Sequence, residues 1–189
     1  HDRDYSSMVA VRSVNCNNRK DTNMNRFIVD EDPKIIAESL CDQHIVKMPL
    51  EEAQMLCTAL WHHAPKYAEI WGLYKPVHQK HPCTLWAMHS RSNFMYAYTL
   101  YVAMLVEYTK RYGKIHGASK HKNAIFFGST YLPELGLTKH PQCFSGMDEL
   151  KTDEFLPINA YRAFYKADKL KFARYNKGRD MPAWLGEVA

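Results

Sequence analysis

Cys41-Asp42-Gln43-His44-Ile45-Val46-Lys47-Met48-Pro49-Leu50-Glu51-Glu52-Ala53-Gln54 is the stretch on which the reading of this chain turns. At about 100° per residue, His44, Lys47, Glu51 and Gln54 fall within an arc of about 80° on one helix, a polar stripe where a bundle helix ordinarily buries Leu. Around it, Ile35, Ile36, Leu40, Ile45, Leu50, Met55, Leu56 and Leu60 supply a separate apolar face. A helix so patterned packs on one side and presents an imidazole, an amine, a carboxylate and an amide on another. Pro49 lies within the stretch and removes one backbone donor, so the segment reads either as one helix to His62 or as two pieces divided there.

Outward from this stretch the chain reads as all-α, a single helical domain with long ordered loops. Asp32-Pro33 is a helix start, with the acid as cap and the proline in the first turn. Residues 64–81, with Pro65, Gly72 and Pro76, read as a long connection. Pro82 opens a second helix expected to reach Tyr112 and to stop at Gly113, about 45 Å at 1.5 Å per residue. A shorter helix over His116 to Phe126, a loop to Leu156 and a basic, aromatic helix from Pro157 complete the expected order. Trp184 is expected to tuck against the body. Residues 1–23 have no periodicity and are expected to be an extension outside the helical domain of residues 24–189. Met24-Asn25-Arg26-Phe27 looks like a natural start.

The chain has 189 residues, 46% hydrophobic and 24% charged, enough for one substantial core. The most apolar run, Phe94 to Val106, is interrupted by tyrosines and Thr99 and bounded by Arg91 and Glu107, so no spanning segment is expected. Five scattered cysteines without a CxxC pair favour a reducing, intracellular setting, expected to be cytoplasmic. The net charge of +5 permits nucleic acid or an acidic partner. Its distribution says more, because Arg162, Lys166, Lys169, Lys171, Arg174, Lys177 and Arg179 are interleaved with Tyr161, Phe164, Tyr165, Phe172 and Tyr175. Cations can neutralise phosphates and aromatic faces can stack on bases, and a basic amphipathic helix with its aromatics in the core is the equal alternative.

Leu40-Cys41-Asp42-Gln43-His44 followed by Glu51 resembles the pyrimidine dimer DNA glycosylases, small all-α repair enzymes of the phage endonuclease V type, in which an L-x-D-Q-H segment precedes a glutamate by the same seven-residue step. Met24 to Gln54, His81-Pro82-Cys83-Thr84-Leu85-Trp86 and Tyr161-Arg162-Ala163-Phe164-Tyr165 also look like phage-borne and bacterial sequences of that name. The resemblance implies a glycosylase with lyase activity on double-stranded, damaged DNA, using no cofactor. An amine would attack C1′, Glu51 would be the catalytic carboxylate, and His44 would help position phosphate and sugar. The family's nucleophile is an N-terminal α-amine, which here would belong to Met24. Two arginines of the family pattern are replaced by Leu50 and Gln54. Lys47, one turn before Glu51, is an alternative nucleophile, and a simple Lys47–Glu51 surface pair is the competing reading. Further candidates for contacting DNA are Arg26, Gln54, His81, Arg91, Asn93, Tyr161, Arg162 and Lys166.

Two other classes remain open, a DNA-binding module without activity and a helical protein stabilised by metal. Cys41 with His44, His81 with Cys83, and His140 with Cys143 form three Cys/His pairs, two of which meeting in space would make a zinc site. None has the spacing of a zinc finger or of HExxH, and no metal ligand is assigned from sequence.

Overall fold

The computed structural model describes residues 25–186, so Met24 and the extension before it lie outside the described residues. The architecture is all-α and organised about two long helices, α2 (Asp42–His63) and α5 (Arg91–Tyr112), each of 22 residues. They run antiparallel. Arg111 and Tyr112 at the end of α5 bond Asp42 at the start of α2, whereas His63 at the end of α2 bonds the Met88 carbonyl just before α5 begins. Preceding them is α1 (Pro33–Ser39), where Asp32 accepts from the Lys34 N–H at 2.8 Å and Pro33 occupies the first turn. Between them come α3 (Pro65–Ile70) and α4 (Pro82–His89). Beyond α5 follow a 3₁₀ turn, α6 (Lys122–Gly128), a long irregular stretch, α7 (Ile158–Phe164) and the short α8 (Ala183–Gly186).

Two expected helices are divided. The first breaks at Leu40-Cys41, where both residues are extended and the Cys41 N–H is taken by the Tyr165 hydroxyl at 3.0 Å. Pro49 divides nothing: α2 continues through it, because a lost donor is a local penalty while burial of the flanking Ile45, Met48, Ala53 and Leu56 is shared along the helix. The second breaks at Ser90, whose extended backbone separates α4 from α5 and whose hydroxyl accepts from the Asn93 N–H at 3.0 Å. Gly113 terminates α5 in the left-handed conformation, φ 64°, as its position after the periodic run requires. The basic segment is helical only to Lys169, the last turn (Tyr165–Lys169) being a π-helix, and beyond Leu170 it becomes an irregular strap. Ile35 and Leu50, expected in the apolar face, are exposed.

The core has two main clusters, one against the first turns of α2 and the other along its second half. One joins Phe27, Ile36, Ile45, Met104, Tyr161, Phe164 and Tyr165, with Trp184 packed on its edge as expected. The other joins Leu56, Leu60, Trp86, Phe94, Tyr101 and Ile125. The strap is fastened by ions and backbone: Arg179 bonds Glu107 and Glu38, and Asp42 accepts from the Asn176 N–H while donating its own N–H to the Arg174 carbonyl. No helix among the described residues is long and apolar enough to cross a membrane.

Candidate active site

The polar stripe of α2 is real, but its members sit in different environments. Glu51 is 7% exposed. One of its oxygens meets Lys47 Nζ at 2.9 Å, one helical turn away, while Oε2 is buried with no hydrogen-bond partner among the described residues. Burial pushes the Glu51 carboxyl above its ordinary range, against the opposing pull of Lys47 and His78. Lys47 itself keeps a side chain 51% exposed, so the pair spans the boundary between interior and solvent. His78 lies on the connection before α4 with φ at +49°, a region costly for a residue with a Cβ. Gln54 is half-buried one turn further on.

His44 is an interior residue. Its ring stacks on Phe27 at 4.8 Å and meets the edges of Tyr165 and Phe172, and its Nδ1 is hydrogen-bonded to the Tyr165 hydroxyl at 2.7 Å. Burial, followed by the charges of Lys169 and Lys47 and opposed by Asp168, pulls its pKa down to about 3. It is therefore a neutral imidazole near pH 7, able to orient a neighbour but not to neutralise a phosphate. Lys169, from the π turn, supplies cationic charge on this side, its Nζ 5.3 Å from the Phe164 ring centre and paired to Asp168.

Behind Glu51, the next residue points elsewhere. Glu52 is fully buried and forms a bidentate pair with Arg26, with Nε to Oε2 at 2.9 Å and a second bond from Nη2 to Oε1. Burial pushes the Glu52 carboxyl up and Arg26 pulls it back; the pair is charged, since a guanidinium has no accessible neutral form. Arg26 also approaches His140 Nε2 at 3.4 Å and lies over the Trp86 ring. Next to this pair the Cys83 and Cys143 sulfurs approach to 3.3 Å, with His81 beside them.

Several residues expected to contact DNA serve the fold instead. Arg26 is 1% exposed and committed to Glu52, so no phosphate reaches it. Tyr161 is buried, its hydroxyl donating to the Pro141 carbonyl and accepting from the Cys143 N–H. Asn93 is buried at the α4–α5 junction, donating to the Trp86 carbonyl and to Thr138 and accepting from the Thr138 N–H. His81 caps α4 by accepting from the Cys83 N–H. Arg162 bonds the Val29 carbonyl and Asp30, and it lines a groove with Asp30, Glu31 and Glu154 whose charge repels phosphate. Arg91 is half-buried and paired to Glu134, and Lys166 is half-buried on the π turn.

The structure thus aligns His44, Lys47 and Glu51 on α2, sets Lys169 of the basic segment near His44 and His78 near Glu51, and adds Glu52, to which the sequence assigned no role. Glu52 lies within the opening stretch, next to Glu51, but nothing local reveals that its partner lies 26 residues upstream. Comparison with models of known families, with curated proteins and with solved structures finds no match to this chain.

Proposed function

We propose that the chain acts on double-stranded DNA as a glycosylase and lyase for damaged pyrimidines, through an amine that forms an imine with C1′ and through Glu51 as acid and base. The observation that carries this reading is Glu51 itself: a nearly buried carboxyl with one oxygen on a half-exposed amine and the other unpartnered. An unpartnered buried polar atom costs about 1–3 kcal/mol, an arrangement retained more readily for chemistry than for stability. The seven-residue step from His44 to Glu51 supports the same reading, as does the Lys47 amine in contact with Glu51.

In the proposed reaction Glu51 first takes a proton from the ammonium, the freed lone pair bonds to C1′ as the glycosidic pair leaves with the base, and the base takes that proton from Glu51. The amine, now bonded to C1′, gives a second proton to Glu51, whose elevated pKa suits it to hold it. The sugar ring then opens: the nitrogen lone pair forms the C1′ iminium, and O4′ takes the proton back. Glu51 next removes a proton from C2′, the C3′–O bond breaks and the phosphate departs with its electron pair. Water hydrolyses the imine and restores the amine. Lys47 Nζ is the amine the described residues place at the carboxylate. The α-amine of a chain beginning at Met24 is the alternative. Flipping or bending of the duplex exposes the nucleotide, at a cost lowest where damage has already weakened pairing.

The test is borohydride trapping on ultraviolet-irradiated duplex, with chains beginning at His1 and at Met24, each carrying Glu51→Gln or Lys47→Ala. Trapping by both chains that disappears with Lys47→Ala assigns the side chain; trapping only by the shorter chain assigns the terminal amine. No trapping on irradiated or abasic duplex overturns the imine mechanism.

A further inference from the structure

We propose that His81, Cys83 and Cys143 bind a zinc ion, an inference that does not depend on the reaction proposed for Glu51. One ring nitrogen of His81 and the two sulfurs all lie within 4.8 Å of one another. Zinc bonds of about 2.3 Å to sulfur set the edge of a tetrahedral site at about 3.8 Å between two thiolates. The Cys83 and Cys143 sulfurs stand 3.3 Å apart, so a shift of about half an ångström completes the edge.

How the chain arrives there supports a built site. His81 and Cys83 are held close at the start of α4; the bond that His81 Nδ1 accepts there from the Cys83 N–H at 3.2 Å is given up on binding, because a neutral imidazole has one free lone pair and zinc takes it. Cys143 comes from 60 residues further on, and its own backbone is held on both sides. Its N–H donates to the Tyr161 hydroxyl at 3.1 Å, and its carbonyl accepts from Asn25 Nδ2 at 3.1 Å. All three donors are buried, with Met55 packed on the sulfurs, so water competes poorly for the ion.

Charge and unmet hydrogen bonds point the same way. Arg26 and Glu52 neutralise each other within reach of both cysteines. Two thiolates there need a separate dication for the buried charge to sum to zero. Zinc binding supplies it, with each thiol giving up its proton as its Zn–S bond forms. Three protein ligands leave a fourth position for a water molecule. Asn25 retains a buried Oδ1, and His140 a buried Nδ1, with no partner among the described residues. A zinc-bound water is a donor of the kind that Asn25, already bonded to the Cys143 backbone, lacks.

The ion would clip the irregular segment between Leu132 and Pro157, which contains only one short 3₁₀ turn, onto the helical body. Segments of this length without regular structure are uncommon in compact domains unless fastened or functional. The other Cys/His pair, Cys41 with His44, is occupied differently: the Cys41 N–H and the His44 ring both bond the Tyr165 hydroxyl.

The experiment uses the full chain purified under reducing conditions and reconstituted with zinc, then with cobalt as a spectroscopic substitute. About one zinc per chain is expected for the wild type and for Cys57→Ser, with affinity at least about tenfold weaker in Cys83→Ser and in Cys143→Ser. Wild-type cobalt protein should show sulfur-to-cobalt charge-transfer absorption, so the assignment stands even where a serine variant does not fold. Substoichiometric zinc with no such band overturns the proposal. So does an intact mass showing Cys83 and Cys143 joined as a disulfide, or undiminished zinc binding in both serine variants. Metal content and borohydride trapping are separate readouts, so either can fail alone.

Discussion

His44→Gln should abolish part of the acid sensitivity of this fold. The unfolded imidazole titrates near 6.5, whereas burial against Phe27, Tyr165 and Phe172 pulls the native value down to about 3. Between those values the unfolded state binds a proton that the native state refuses, so stability is full above the unfolded pKa and falls as pH drops through it. Taking the proton-binding ratio at pH 7.5 and at pH 5.0, the loss attributable to this one group is about 2 kcal/mol. The figure hardly depends on the native value, because any native pKa below about 4 leaves the folded imidazole unprotonated at pH 5.0 and yields the same result.

The assay is urea denaturation of wild type and His44→Gln at the two pH values, comparing how much each loses. Other groups titrate in this window: His140, pulled down to about 3 by burial, acts in the same direction, and Glu51, pushed up, acts in the opposite one. Both are present in each protein and cancel in the comparison. Wild type should lose about 2 kcal/mol more than the variant between pH 7.5 and 5.0. Equal losses, or a native His44 resonance titrating near the ordinary imidazole value, would refute the assignment of a neutral, buried ring.

Glu51→Gln should separate stability from chemistry, raising stability at pH 8 by about 1 kcal/mol because a carboxylate disfavoured by burial is removed. The same variant should lower the rate of imine trapping by about 10²–10⁴-fold, whereas a residue serving only structure would move the two together. Arg26→Met should cost about 3–5 kcal/mol in chemical denaturation by leaving Glu52 buried and unpaired, and the double variant Arg26→Met/Glu52→Leu should recover most of it. Gly128→Ala should lower stability by about 1–3 kcal/mol in the same assay, its Cβ meeting the Leu60 methyls at 2.8 Å and the Tyr67 ring at 2.9 Å in a packed interior.

What was legible in the sequence is what depends on neighbours in the chain. Asp32-Pro33, Pro82 and Gly113 mark helix boundaries because caps and φ restrictions act over two or three residues. The Lys47–Glu51 contact follows from helical pitch alone. The break at Ser90 had a local signal too, since Ser three residues before Asn93 is a cap in the place where one is wanted, but the apolar run on either side outweighed it. The break at Leu40-Cys41 had none: what holds it open is a hydroxyl 124 residues away. Expected DNA contacts such as Arg26 and Tyr161 failed for the same reason. Their types were read correctly, but burial is a property of the partner they meet, and Glu52 and the 141–143 backbone are not visible from either position.

Glu51 and Glu52 show how much one residue step on α2 decides. A rotation of about 100° carries the side chain from the solvent boundary beside Lys47 to a dry compartment holding Arg26, His81, Cys83 and Cys143. The same turn of helix is therefore the wall between the proposed reaction centre and the proposed metal site. Its rotational setting is pinned from the inside, where the bidentate Arg26–Glu52 pair tolerates little displacement. A helix free to rotate would relieve the unpartnered Glu51 oxygen by turning it to water. The interior pair prevents that relief, and so holds a carboxyl in the partly desolvated position that gives it a raised pKa. On this account the stability stored in Arg26, Glu52 and the cluster behind them is what keeps Glu51 poised, and loosening the interior should lower the Glu51 pKa before it unfolds the protein.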